Sequence, residues 1–247
     1  MTRLLTLDIE TAPMTVRTFG LRDQNIGIDQ IVEHGGILCF AAKWVGERGI
    51  IYRSAWGDGE KSMIREAGAL LDEADGVIGW NSARFDTKWI QAQLARFGYK
   101  RIAPFVNVDL MRSARHYFSL PSYKLDYVAR FLGVGRKVKT GGFSLWAEVM
   151  DGDEQARRLM RRYNIGDTRL TEEVFQRMLA GGWVKGLPNC AIEGDHSCPH
   201  CGSEKLQARG YTLSKTRRYR RWQCGSCGGW SQSVICEPGS ASLKAVA

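Results

Sequence analysis

Asp8 and Glu10 stand two residues apart in the apolar run LLTLDIET, residues 4–11. A strand alternates its side chains, so both carboxylates fall on one face, where they repel each other and are costly to desolvate. Two more acids sit where apolar residues belong. Asp86, in GWNSARFDTKW, shares a helical stripe with Ile90, Leu94 and Phe97, although the dipole also favours an acid in a helix's first turn. Asp167, in RRYNIGDTRLTEEVF, falls on the stripe of Ala156, Met160, Tyr163, Leu170, Val174 and Met178. A carboxylate facing a core needs a cation or a set of donors. A buried ion pair with an arginine would answer Asp167 alone, but Arg161, Arg162 and Arg169 point elsewhere on the wheel. Four hard oxygen ligands from three segments suit Mg²⁺ or Mn²⁺. Two such ions ~3.5–4 Å apart can activate a water and stabilise the leaving oxygen in phosphodiester cleavage. On this reading, the repulsion between Asp8 and Glu10 is what makes the pair bind metal.

A second constellation is softer. Of the seven cysteines, only Cys39 precedes residue 190, inside an apolar run where it reads as a small core residue. CPHCG and CGSCG form two C-x-x-C knuckles separated by 22 residues. Cys198, Cys201, Cys224 and Cys227 thus fit one structural, tetrahedral Zn²⁺ in a zinc ribbon. His196 and His200 are near enough to replace a cysteine, and Cys190 and Cys236 are spare. Neither pair opens a βαβ unit, which disfavours a redox motif, and no secretory signal points to disulfides. Between the knuckles, Lys215, Arg217, Arg218, Arg220 and Arg221 surround Tyr219 and Trp222. Cations interleaved with aromatics suit a nucleic-acid backbone with stacked bases. Alternatively the two rings pack the ribbon's small core and the arginines are merely solvated. Strand alternation puts Arg217, Tyr219 and Arg221 on one face, with Arg218, Arg220 and Trp222 on the other.

These groups need elements to hold them. Residues 3–9 read as a first strand. GILCFAAKWV and GIIYRSAW, split by Gly46-Glu47-Arg48, read as an antiparallel hairpin. A helix is expected over 59–74, a short strand over 76–80, a helix from Phe85 to Phe97, a last strand within 104–110, and mostly helix from 111 to 180. Residues 12–34 read as a polar connection. Sheet first, then alternation, then helices is an α/β pattern with a mixed sheet. Asp109 is expected to cap the helix after its strand. Gly181, Gly182, Gly186 and Pro188 mark a linker. The resulting division is residues 1–182 for the acid-bearing domain, 183–194 for the linker, 195–237 for the ribbon and 238–247 for a tail.

Hydrophobic content of 44% and charged content of 25% are those of an ordinary globular chain. No apolar run reaches the ~20 residues of a membrane helix, and Asp8 comes too early for a signal-peptide core, so a cytoplasmic location is expected. The net charge of +9 is compatible with a nucleic-acid partner but decides nothing alone.

The ordered set DIET, then N-x-x-x-F-D from Asn81 to Asp86, then Y-x-x-x-D from Tyr163 to Asp167 resembles the three motifs of the DEDD 3′–5′ exonuclease superfamily. The tyrosine is similar to that of its DEDDy branch, which includes the proofreading domains of DNA polymerases. The resemblance covers about residues 1–180. It implies a ribonuclease H-like fold whose first three strands are antiparallel, and hydrolysis from a free 3′ end that releases nucleoside 5′-monophosphates. It also implies that Asp8, Glu10 and Asp167 hold the ion nearer the water, that Asp8 bridges to a second ion, and that Asp86 holds that one largely through water. Tyr163 would orient the water, while Asn81 and Phe85 shape the strand's path and the terminal nucleotide's pocket. Residues 122–140 also look like a helical segment of that family. Single-stranded DNA is the expected substrate, with RNA as the alternative. A non-catalytic nucleic-acid adaptor on a nuclease scaffold is the competing class, and the intact acids and Tyr163 argue against it.

Overall fold

The computed structural model describes residues 3–20, 22, 24–188, 196–214 and 216–238. Its centre is a five-stranded sheet in the order β5-β4-β1-β6-β7. These strands are β1 (Leu4–Thr11), β4 (Ile37–Trp44), β5 (Ile51–Ser54), β6 (Gly76–Gly79) and β7 (Val106–Asp109). The pairs β1–β4 and β4–β5 are antiparallel, whereas β1–β6 and β6–β7 are parallel. The sheet is therefore mixed, as the element pattern implies, and the first three long strands are antiparallel. Strand β1 runs two residues further than its apolar pattern suggests and carries Glu10 within the ladder, with a bulge between Glu10 and Thr11.

Alternation along β1 divides the core. Leu5, Leu7 and Ile9 pack on one face against α2 (Glu60–Glu73) and α3 (Asp86–Arg96). Each fully buried aliphatic side chain there stabilises the fold by about 1.5–3 kcal/mol. Thr6, Asp8 and Glu10 face the other way, toward α7 (Glu154–Ala180). That helix is started by Asp153, whose carboxylate accepts from the Ala156 N–H at 2.6 Å. It passes β4, β1 and β6 in turn. Helices α4 (Leu110–Tyr117), α5 (Leu125–Phe131) and α6 (Ser144–Met150) complete this side.

Two expectations change. The run GIIYRSAW does not stay extended: Ser54 accepts from the Gly57 N–H and starts a single turn, α1 (Ala55–Asp58). Local side-chain capping outcompetes pairing at this sheet edge. The connection 12–34 contains a small antiparallel pair, β2 (Thr15–Val16) with β3 (Ile31–Glu33), next to the end of β1. Gly35, at φ 70, reverses the chain against the Ala12 carbonyl, where a Cβ would collide.

A second, three-stranded antiparallel sheet, β10-β9-β8, is built from β8 (Leu206–Leu213), β9 (Arg218–Cys224) and β10 (Trp230–Gln232). Residues 189–194, half of the expected linker and including Cys190, with Lys215 and the tail beyond Pro238, lie outside the described residues. No helix among the described residues is long and apolar enough to cross a membrane.

Candidate active site and cysteine centre

The acids of β1 and α7 meet. Carboxylate oxygens of Asp8, Glu10 and Asp167 lie within 4.8 Å of one another, although 159 positions separate the outer two. Asp167 is 2% exposed and its Oδ1 has no hydrogen-bond partner. An orphaned, buried carboxylate oxygen beside two more acids is a donor set that fits a hard divalent cation. Asp86 stands just behind this trio. It is buried at the start of α3, and its Oδ1 accepts from the Ile9 N–H at 3.1 Å, between the two β1 acids.

Electrostatics register the crowding. Burial first, then the charges of Asp86, Glu10 and Asp167, hold the Asp8 carboxyl well above the usual carboxylate range. Burial and then Asp167 push Glu10 up to about 8, with a hydrogen bond from Trp146 opposing them. Burial lifts Asp86 to about 7 against the pull of the Ile9 amide. Asp167 is also raised by burial, and Lys137 opposes the rise. Without a cation, this site holds protons at neutral pH.

Lys137, from the loop after α5, enters the cluster. Its ammonium pairs with Asp167 Oδ2 at 2.5 Å and lies 4.7 Å from the centre of the Tyr163 ring. Burial works against the ammonium, but Asp167 and Tyr163 outweigh it and keep it charged. The Tyr163 hydroxyl donates to Asp167 and accepts from Lys137, and burial keeps the phenol protonated. The partner of Asp167 is thus a lysine 30 positions upstream rather than a neighbouring arginine.

Asn164, completely buried, is a second group that the pattern did not single out. Its Nδ2 donates to Asp8 Oδ2 at 2.7 Å and to the Asp8 carbonyl at 3.1 Å, which fixes the Asp8 carboxylate against β1. One turn on, Thr168 donates to the Asn164 carbonyl and the Ala41 carbonyl. The buried face of α7 therefore includes Asn164, Thr168 and Thr171, polar side chains an apolar stripe would place outside.

The turn between β6 and α3 carries Asn81 and Phe85. Asn81 adopts φ 65, the one positive φ outside glycine among the described residues. Its N–H donates to Asp109 Oδ1 at 3.2 Å, and the same oxygen accepts from the Arg112 N–H. Asp109 therefore caps α4 as expected and also pins the strained turn. Phe85, 38% exposed, immediately precedes α3 and packs its ring toward Trp89, 6.2 Å between ring centres.

The cysteine centre is local. Sulfurs of Cys198, Cys201, Cys224 and Cys227 lie within 4.8 Å of each other. The pairs Cys198–Cys227 and Cys201–Cys224 are each 3.7 Å apart. Four thiolates at ~2.3 Å from a tetrahedral Zn²⁺ lie ~3.8 Å apart, so the spacing fits. The His200 and Ser226 amides donate to the first sulfur of each knuckle, and His200 spends its ring on the Trp230 carbonyl. Burial raises Cys198 and Cys227; at Cys224 it is overcome by amide donors, which bring the thiol down to about 6.

Around it, Arg218 and Arg220 lie 4.5 and 4.6 Å from the Tyr211 ring centre, and Arg221 lies 4.9 Å from that of Trp230. The aromatic partners are Tyr211 and Trp230 of β8 and β10, across the ladder from the basic run. Trp222 is half-buried against His196, Tyr219 is half-buried, and Arg217 forms the β8–β9 turn with Ser214.

The RNase_H superfamily model RNase_H_2 matches residues 33–179. Among solved structures, the family B DNA polymerase from the hyperthermophilic archaeon Pyrobaculum calidifontis is similar at 20% sequence identity and a TM-score of 0.57. The match covers 74% of this chain and 25% of the polymerase chain, so this protein spans only a quarter of that relative. Comparison with curated proteins finds no match.

Proposed function

Because the chain belongs to the RNase_H superfamily, we propose that it is a divalent-metal-dependent 3′–5′ exonuclease of the DEDDy type, acting on single-stranded DNA and releasing nucleoside 5′-monophosphates. The convergence of Asp8, Glu10 and Asp167 with Tyr163 carries the reading, because two motifs from distant segments, β1 and α7, meet at one point. Likeness to part of a DNA polymerase supports a nucleic-acid substrate.

In this reading Asp8, Glu10 and Asp167 hold Mg²⁺ or Mn²⁺, and Asp86 supports a second ion from behind Asp8. Such ions, when bound, supply an activated water and offset charge on the leaving oxygen. Asn164 keeps the Asp8 carboxylate aimed into the site, and Trp146 does the same for Glu10. Tyr163, protonated and oriented by Asp167, positions the attacking water. Residues 1–182 carry the chemistry. Residues 195–237 form a zinc ribbon that adds affinity for the strand through Arg218, Arg220 and Arg221, each laid on an aromatic ring.

Digestion of 3′- and 5′-labelled single- and double-stranded DNA and RNA with Mg²⁺ or Mn²⁺ tests the reading. Stepwise loss from the 3′ end of single-stranded DNA is expected. No cleavage of any strand would return the protein to the adaptor class, and preference for RNA would reassign the substrate. Removing residues 190–247 should raise KM with kcat nearly unchanged, the mark of lost uniform binding.

A further inference from the structure

Beside the acids, at the carboxyl ends of β6 and β7, lies a cavity of about 610 Å³. Asn81 and Asp109 form its inner wall, and Arg84, Arg112, Arg115 and Lys185 surround it. Among the described residues none of these four cations is in an ion pair, whereas Arg3, Arg53, Arg96, Arg130 and Arg157 each have a carboxylate partner. A second arginine-rich hollow is built differently. Around Tyr52 and Trp56, three arginines are offset by Asp58 and Glu154, which line the same space. In the β6–β7 cavity the only acid is Asp109. Its Oδ1 is committed to two backbone amides and its Oδ2 is sealed from solvent, so neither oxygen is offered to a ligand, and one acid stands against four cations. Four unneutralised cations converging on one hollow make an anion site.

The cavity and the acids share one structural turn. Asn81 lines the cavity, and five residues later Asp86 contacts the backbone between Asp8 and Glu10. A strand that runs from the acids past this turn would carry its neighbouring phosphates toward the hollow. Its volume is on the scale of a small-molecule pocket (~300–1,000 Å³), room for a short stretch of one backbone. We infer that the cavity is the subsite for the backbone phosphates of a single polynucleotide strand on the 5′ side of the bond being cut. The inference rests on the exonuclease reading and deepens it.

The test is binding of fluorescent oligothymidylates of 2, 4, 6, 8 and 12 nucleotides by the full zinc-loaded chain in Mg²⁺- and Mn²⁺-free buffer across a salt series, with hydrolysis measured in parallel. Arg112→Ala with Arg115→Ala removes two exposed cations from α4. It should weaken binding of the longer strands by about tenfold or more and leave the dinucleotide nearly unaffected. The slope of log K against log salt should become shallower by about 1.4, two contacts at ~0.7 each. Lys185→Ala alone should remove about 0.7. A control of equal charge change, Arg65→Ala with Arg101→Ala, lies away from the cavity and should keep the wild-type slope. Equal slopes and affinities for the cavity and control variants would overturn the inference. If wild type binds strands through the cavity yet never cuts them with metal, the exonuclease reading fails and the subsite stands. If it cuts while the slopes stay unchanged, the subsite fails and the exonuclease reading stands.

Discussion

The acid cluster and the cysteine cluster are both gatherings of groups that repel one another once ionised, yet they are built in opposite ways. The acids come from three elements spread over residues 8–167, and hydrophobic clusters around the five-stranded sheet hold them in place. The cysteines come from two short knuckles, and their own cluster consists of three of the sulfurs with Leu206 beside them. A large core can force acids together and let burial keep them protonated. A ribbon with almost no apolar interior cannot force thiolates together, so on the proposed reading a bound Zn²⁺ supplies the folding energy. On the proposed reading, one site is assembled ahead of its metal and the other by it.

The largest expected effect follows from that difference. Cys198→Ser with Cys201→Ser should unfold the ribbon, because structural zinc in small domains contributes on the order of 10–16 kcal/mol to folding. Hydrogen exchange should show β8–β10 amides losing protection while those of β1 and α7 keep theirs. Retained protection in β8–β10 would mean that the ribbon stands without its ion. Asp8→Ala should do the reverse, abolishing cleavage while the melting temperature holds or rises. Asp167→Ala should abolish cleavage and lower the melting temperature, because it leaves the Lys137 ammonium without its carboxylate. Partners of metal ligands already cost 10–100-fold, so loss of a ligand should exceed 100-fold in cleavage rate. Near-wild-type turnover in Mg²⁺ would move the metal site elsewhere. Asn164→Ala should fall between, with roughly 10–100-fold weaker Mn²⁺ binding by calorimetry, because Asp8 is released from its aim.

The smallest effect is a pH dependence. Glu10 and Asp86 have folded values of about 8 and about 7, raised above their ordinary values of 4.5 and 3.8. The folded protein therefore binds more protons than the unfolded chain between those limits, and stability falls as pH rises through 7 to 8. Without Mg²⁺ or Mn²⁺, the melting temperature should drop from pH 6 to pH 9, and saturating Mn²⁺ should flatten the decline. A melting temperature that climbs over that interval would contradict the crowding of acids.

Sequence pattern reached some of these groups and missed others for physical reasons. Asp8, Glu10 and Asp167 stood out because a carboxylate on an apolar periodicity is costly wherever it occurs. The hairpin of β4 and β5 was legible from two apolar runs and a short polar turn. Asn164 was hidden because α7 approaches β1 closely enough to bury amide and hydroxyl groups that bond to the sheet backbone, so its inner face is not an apolar stripe. Lys137 lies in a loop with no periodicity, 30 positions from the acid it pairs with, and only the folded chain brings them together. Tyr211 and Trp230 escaped because cross-strand neighbours on a small sheet come from other strands than the basic run itself.

Helix α7 fixes a distance within the molecule. It carries Tyr163 and Asp167 near its middle and runs unbroken to Ala180, after which Gly182 approaches the Gly228 carbonyl of the second cysteine knuckle. Thirteen residues of helix at 1.5 Å each place its end about 20 Å along the axis from Asp167. The ribbon meets the end of a rigid rod rooted at the acids. Strands too short to bridge that span would be processed by the acid site alone, and longer ones would gain the ribbon's grip. On the exonuclease reading such a protein would sort ends by the length of chain behind them, and its hold should loosen stepwise as digestion shortens the strand below that span.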